Sequence, residues 1–295
     1  MAEIMANGIR LWYEDDGEGQ SVVLIGGTSM PTAAWDLTLR PALIAAGYRV
    51  VAFDGRGVGR SDAPPPPYAL ADLTRDVAGL VEALILAPCH VVGLSLGGFV
   101  AEDLLWRRPD LVATAALIAS AGRTTAFTRA RIRAEHDLLT RCGPLPASFD
   151  QASVLTIAVP AKVLQDDDAT VETWLALLAG GLGHSEAGRL GQFAAERDWL
   201  LDETRHDRWP GLARPCLVVA FEHDLCFPPS RGREMAAAMA KGEFVEIEGV
   251  AHGNGPFDAA PQLGAAVVAF LAGHRVESRP PGRPKAGSSP TTTNQ

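Results

Sequence analysis

Three short segments of the chain hold residue types that can do nucleophilic chemistry, and each follows a run of apolar residues. Gly93-Leu94-Ser95-Leu96-Gly97 fits the G-x-S-x-G pattern, in which a serine sits on a strained turn between a strand and a helix. Cys216-Leu217-Val218-Val219-Ala220-Phe221 runs into Glu222-His223-Asp224, and Phe244-Val245-Glu246-Ile247-Glu248 runs into Gly249-Val250-Ala251-His252-Gly253. A serine hydroxyl is a poor nucleophile until a base takes its proton, and an acid must hold that base in one tautomer. Ser95, an acid at 222 or 224, and His252 supply those parts in the order serine, acid, histidine. The chemistry is attack on a carbonyl carbon through a covalent acyl intermediate.

Supporting groups are also legible. Side chains at Gly93 and Gly97 would collide with the strand and helix that press on the serine turn. The strand candidate Ser21–Ile25 ends in Gly26-Gly27-Thr28. Small residues there let backbone N–H groups face a cavity, as the negative charge of an acyl-transfer step requires. Of seven histidines, His252 alone sits in a glycine-flanked loop after a sheet strand. His90 opens the strand of the serine turn, His136, His184 and His206 fall in the helical middle of the chain, and His274 ends the last helix.

The elements that must position these groups alternate. Asn7-Gly8 marks a hairpin over residues 4–19. Helices are expected over Trp35–Ala46, Leu70–Leu86 and Phe99–Arg107, with strands over Tyr48–Phe53 and Thr114–Ala119 between them. Pro64 to Pro67 can only be a stiff loop. Strands alternating with helices imply βαβ units and a mostly parallel sheet, with sites at the carboxyl ends of the strands. Between Thr124 and Trp209 helical patterns dominate, over Arg129–Arg141, Val171–Leu182 and Ser185–Leu201.

In order and spacing these segments resemble the α/β-hydrolase superfamily over about residues 4–272, and Phe53–Asp62 is similar to the family's loop after the fourth strand. The resemblance implies an α/β fold with a mostly parallel central sheet, helices on both faces and an inserted helical cap. Core would occupy 1–123 and 210–275, the cap 124–209, and a Pro-, Ser- and Thr-rich disordered tail 276–295. The acid falls on Asp224, four residues ahead of Pro228, with Glu222 as the fallback. The alternative acid position after the sixth strand reads Ala119-Ser120-Ala121-Gly122 and offers no carboxylate. The oxyanion donors are the backbone N–H groups of Thr28 and Leu96. The family's usual His-Gly pair is replaced by Gly26-Gly27, as in some methyl esterases of aromatic polyketides. Asp54, Arg56 and Asp62 fix the neighbouring loop. Gly27, Met30, Trp35, Trp174 and Trp199 are the candidate substrate contacts.

The activity this implies is cleavage of a carboxylic ester of a small or medium apolar molecule through an acyl-enzyme on Ser95, with no cofactor and no metal. Thioesterase, carbon–carbon bond hydrolase and cofactor-free perhydrolase activities use the same triad. A lyase, a cyclase or a ligand-binding protein can use the same capped pocket. Dehalogenases and epoxide hydrolases are disfavoured, since their nucleophile is an aspartate where Ser95 stands.

Composition sets the outer bounds. A chain of 295 residues with 47% hydrophobic residues can build one large domain with an insertion. A net charge of −9 without a basic stripe argues against a nucleic-acid partner. No apolar stretch of about 18 residues exists, so no membrane span is expected. Met1–Gly8 has no basic and apolar leader pattern, and four cysteines lack metal-like spacing, so a reduced, cytoplasmic protein is expected. Three lysines against abundant Ala and Arg point to a GC-rich bacterial genome. Oligomeric state is not readable; the expected partner is a small-molecule ester or acyl substrate.

Overall fold

A computed structural model describes residues 1–120, 122–143, 146–179 and 185–275. The tail at 276–295, Ala121, His184 and the end of the helix expected over Val171–Leu182 lie outside the described residues. The chain opens with β1 (Ala2–Ala6), β2 (Ile9–Asp16) and β3 (Gln20–Ile25), then a 3₁₀ segment (Thr32–Leu37), α1 (Arg40–Ala45) and β4 (Tyr48–Phe53). It continues through α2 (Leu70–Ala83), β5 (Cys89–Leu94), α3 (Leu96–Arg107) and β6 (Val112–Ile118). Next come α4 (Ala126–Cys142), α5 (Ala147–Ala158), α6 (Ala161–Asp166), α7 (Asp168–Ala179), α8 (Glu186–Leu201) and a 3₁₀ segment (Glu203–Gly211). The last part holds β7 (Cys216–Phe221), α9 (Pro229–Ala238), β8 (Gly242–Ile247), α10 (Gly255–Asp258) and α11 (Ala260–Gly273).

Eight strands form one sheet in the order β1-β2-β4-β3-β5-β6-β7-β8. β2 is antiparallel to both β1 and β4, and the remaining pairs are parallel. From β3 the chain crosses first to β4 on one side and later to β5 on the other. The order therefore reverses at β3 and β5, and an open α/β sheet leaves its crevice at the carboxyl ends of such a pair. Ile25 is level with Gly93 across that pair, so the Gly26 loop and Ser95 emerge side by side.

Side chains alternate across the strands and feed two apolar layers. Val22, Leu24, Val50 and Ala52 join Leu43, Leu263 and Val267 in one layer. Val23, Ile25, Val51 and Phe53 join Val77, Leu80, Phe99 and Leu104 in the other. Helices cover both faces of the sheet. No helix among the described residues is long and apolar enough to cross a membrane.

Several elements differ from the sequence pattern. The helix expected over Trp35–Ala46 is two pieces, broken at Thr38 (φ −130°, ψ −103°). Pro41 lies in the first turn of α1, where its missing N–H is harmless, and cannot continue a helix from upstream. The helix expected from Phe99 starts at Leu96, directly after the serine. Between β6 and β7 two helices, α5 and α6, join the three expected. Both follow a proline, Pro146 and Pro160, and α5 has no apolar stripe that periodicity could reveal.

The helices between β6 and β7 grip the core at their exit and through α8. At the exit, Trp209 Nε1 donates to Glu102 Oε1 at 2.9 Å, and the fully buried Arg205 donates to the Gly122 carbonyl at 2.6 Å. Near the start of α8, Gly188 meets Gly57 of the loop after β4. A Cβ on Gly188 would lie 2.0 Å from the Gly57 carbonyl oxygen, and Gly57 itself has φ +81°. Gly188→Ala is expected to cost about 1–3 kcal/mol, as overpacking does elsewhere, and to lower the Tm in a thermal melt. An unchanged Tm would show that α8 does not rest on Gly57.

Candidate active site

Ser95 sits between β5 and α3 with φ +52° and ψ −117°, a left-handed conformation that L side chains rarely adopt. Its N–H donates to the Ile118 carbonyl of β6 at 2.9 Å. The surrounding backbone leaves no room for larger residues. A Cβ on Gly93 would lie 2.1 Å from the Gly97 carbonyl oxygen, and one on Gly97 would lie 2.0 Å from that of Ile25. The turn is a wedge of backbone between β3, β5 and α3, and it lifts Ser95 into partial solvent contact.

His252 reaches that serine from the loop after β8. Its Nε2 lies 3.1 Å from Ser95 Oγ, and its Nδ1 lies 2.8 Å from Asp224 Oδ2. With Nδ1–H donating to the carboxylate, Nε2 is left to accept the serine hydroxyl. Asp224 is buried, and its other oxygen accepts the N–H groups of Cys226 at 2.8 Å and Phe227 at 2.9 Å. The Phe227 ring packs between Phe99 and the His252 ring, 5.5 Å from each. Asn254 holds the histidine loop by accepting the Ala251 N–H at 2.7 Å and donating to Asp258 at 2.8 Å. Burial alone depresses the His252 imidazolium. The charge and hydrogen bond of Asp224, with Glu196 adding to them, outweigh burial and put its pKa above the ordinary histidine value.

The other candidates stand elsewhere. Glu222 accepts the Gly249 N–H at 2.8 Å and so ties the loops after β7 and β8 together. His90 is buried against Thr114, and burial pulls it down to about 4. His206 is likewise pulled to about 4, by burial first and then by Arg205 and Arg123. His136 pairs with Arg197, and His274 with the Phe270 carbonyl. Burial raises the Cys89 and Cys226 thiols to about 12, which leaves them protonated and inert at neutral pH. Among the described residues, no group of three or more His, Cys, Asp or Glu side chains could hold a metal ion.

The Gly26-Gly27-Thr28 loop lies directly against the nucleophile, since a Cβ on Gly27 would come 3.4 Å from Ser95 Cβ. Met30 N–H donates to the Gly27 carbonyl at 3.1 Å, closing a tight turn through a left-handed Ser29 (φ +61°). A Cβ on Gly26 would lie 2.9 Å from the Met30 carbonyl oxygen, so this turn is too tight for a histidine there. The backbone N–H groups of Thr28 and Leu96 meet no acceptor among the described residues. Leu96 also opens α3, whose N-terminus favours negative charge.

Two residues of α8 with no sequence signal hold this loop. Gln192 Oε1 accepts the Ser29 N–H at 2.8 Å, and its Nε2 donates to the Arg56 carbonyl at 3.2 Å. Thr28 Oγ1 donates to Glu196 Oε1 at 2.8 Å. The loop after β4 is braced separately. Asp54 accepts the N–H groups of Thr32 and Arg60, Arg56 makes two 2.6 Å bonds to buried Asp76, and Asp62 pairs with Arg10.

The expected substrate contacts separate. Gly27 and Met30 line a cavity of about 30 Å³ with Leu96, Asp76 and Gln192. Trp35 is 1% exposed and packs with Leu39 and Leu43 under the sheet, so it is a core residue and not a substrate contact. Trp199 is also core, buried near Phe99 and facing the Arg205 guanidinium. Trp174 on α7 stands edge-on to Phe257, five residues beyond His252.

A family model described as the alpha/beta hydrolase family matches residues 22–267. A Mycobacterium tuberculosis protein with the provisional name non-heme bromoperoxidase BpoC is 33% identical over 264 residues, covering 90% of this chain and 98% of its own length. The crystal structure of BpoC matches with a TM-score of 0.81 and 31% identity, over 90% of this chain and 97% of that one. Rhodomycin D methylesterase DauP from Streptomyces sp. (strain C5) is 26% identical, over 88% of this chain and 94% of its own. An enol-lactonase from Burkholderia xenovorans LB400 matches with a TM-score of 0.73 and 26% identity, over 92% of this chain and 100% of that one. The family match from β3 through β8, together with the 33%-identical relative over 90% of the chain, makes this chain a member of the α/β-hydrolase family of enzymes.

Proposed function

We propose that the protein is a serine hydrolase that cleaves a carboxylic ester of a small or medium apolar molecule, with Ser95 as nucleophile, His252 as base and Asp224 as its orienting acid. The observation that carries this reading is the continuous hydrogen-bond chain from Ser95 Oγ through His252 to a buried Asp224. Ser95 Oγ attacks the ester carbonyl while His252 Nε2 takes its proton. The tetrahedral oxyanion is held by the N–H groups of Leu96 and Thr28. The alcohol leaves with the proton from His252, and water, deprotonated by the same nitrogen, then releases the acid from Ser95. Two relatives named as a methylesterase and an enol-lactonase act on ester bonds by name, which supports the choice of ester over other acyl bonds.

The name of the 33%-identical relative favours one second reading, perhydrolysis. Hydrogen peroxide would replace water as the attacker of the acyl-enzyme, and the product would be a peracid. The partner in either case is a small-molecule ester.

Hydrolysis of p-nitrophenyl esters with acyl chains of two to twelve carbons tests the main reading. Turnover is expected in the wild type and none above background in Ser95→Ala, and turnover that survives in Ser95→Ala would overturn the mechanism. Asp224→Asn should keep the fold but lower kcat by ~10⁴-fold, because the imidazole is then held in the wrong tautomer. The pH profile follows from His252. The base works only when neutral, so kcat/KM should rise with pH through a midpoint above the ordinary value of about 6.5. A midpoint well below that value would contradict the role of the Asp224 charge.

A further inference from the structure

The cap contributes one ionisable group to the Ser95 site that the acyl-transfer steps leave unused. Glu196 lies on α8, one turn beyond Gln192 and two beyond Gly188, on the helix face that rests on the core loops. One of its oxygens accepts the hydroxyl of Thr28, the residue whose backbone N–H is offered to the oxyanion. The other oxygen meets no donor among the described residues, although the side chain is half-buried. A carboxylate held this way is fixed by one oxygen and can accept with the second.

The charged groups that face Glu196 come from two directions. His252 and the Asp224 behind it stand on the core side, and Arg131 and Glu135 of α4 stand on the cap side. Arg131 is already paired with Glu135 one turn along the same helix. Three acidic side chains, Asp224, Glu196 and Glu135, therefore stand at the site against one committed guanidinium, and the site is most anionic once Glu196 has lost its proton. Such a site attracts a cationic or hydroxylated substrate and repels an anionic one.

We propose that Glu196 is a specificity-determining residue, whose open oxygen accepts a hydrogen bond from a hydroxyl or ammonium group of the substrate and turns away acyl groups that end in a carboxylate. This rests on the acyl-transfer reading of Ser95. Its pH dependence has a definite sign. Burial pushes the Glu196 carboxyl up to about 7; the Thr28 hydrogen bond opposes that rise and Glu135 adds to it. The carboxylate is fully formed above that pH and lost as pH falls through it. Rejection of anionic esters is therefore strongest at alkaline pH and fades on acidification. The protonation of His252 affects both ester types alike and cancels in their ratio.

The test compares p-nitrophenyl valerate with mono-p-nitrophenyl glutarate, which has the same acyl carbon count and a terminal carboxylate. Both are measured on wild type and Glu196→Gln, which keeps an acceptor for Thr28. The wild type should prefer the valerate ester by about tenfold or more in kcat/KM, the scale of one partly screened like-charge contact. In Glu196→Gln the preference should shrink toward one, chiefly through a lower KM for the glutarate ester. The wild-type ratio should also grow between about pH 6 and about pH 8.5, bracketing the titration, while the variant's ratio stays flat. A pH-independent wild-type ratio, or one unchanged in the variant, would overturn the proposal. A wild-type preference for the glutarate ester would also overturn it and assign control to Arg131. If neither ester is turned over, the acyl-transfer reading fails. The reach of the Glu196 charge is then read by NMR titration of the His252 imidazole in both free proteins. A lower midpoint in Glu196→Gln supports that reach, and an unchanged midpoint refutes it.

Discussion

The site depends on one tight piece of backbone packing, the approach of the turn at Ser95 to the ends of β3 and β6. A residue with a side chain at φ +52° stores strain of order 1–3 kcal/mol, and it persists only because its neighbours leave no alternative. Gly97 lies against the Ile25 carbonyl, Gly93 against the Gly97 carbonyl, and Gly98 against Ser120. The Ser95 N–H is fixed on Ile118. The serine oxygen is thereby presented where two strands diverge, and the first N–H of α3 stands beside it. His252 and Asp224 reach this fixed point from loops at the ends of β8 and β7.

The helices between β6 and β7 are tied to the loops around that point. Through Gln192 and Glu196, α8 holds the Thr28 loop beside Ser95. On the opposite side, the Ala158 carbonyl at the end of α5 accepts the N–H groups of both Gly253 and Asn254, at 3.0 and 2.7 Å. The helices between β6 and β7 are thus hydrogen-bonded to the Thr28 loop and to the His252 loop at once. The Gly26-Gly27 turn is too tight for a histidine at its first position, and Gln192 and Glu196 of α8 brace the residues that follow it. A shift of α8 would therefore move the Thr28 loop.

That Ser95, His252 and Asp224 come together was legible in the sequence because each lies in a local motif. The serine turn needs glycines at set offsets, and the acid and histidine each follow a short apolar strand that ends in turn residues. The sheet followed from strands and helices that alternate. What stayed hidden was long-range. Gln192 and Glu196 look like solvated positions on a polar helix face, and their partners lie 163 and 168 residues away. Trp35 and Trp199 were misread for the opposite reason. A large aromatic near a site can line a pocket or fill the core, and only packing decides; both are core. The break before α1 was signalled by Pro41, whereas α5 had no periodicity to reveal it.

The central claim is that His252 activates Ser95, and covalent labelling with a fluorophosphonate tests it without any choice of substrate. Intact-mass and peptide mass spectrometry should find one adduct per chain, on Ser95, formed at a rate that collapses in His252→Ala. Labelling at another residue, or at an unchanged rate in that variant, would contradict the claim.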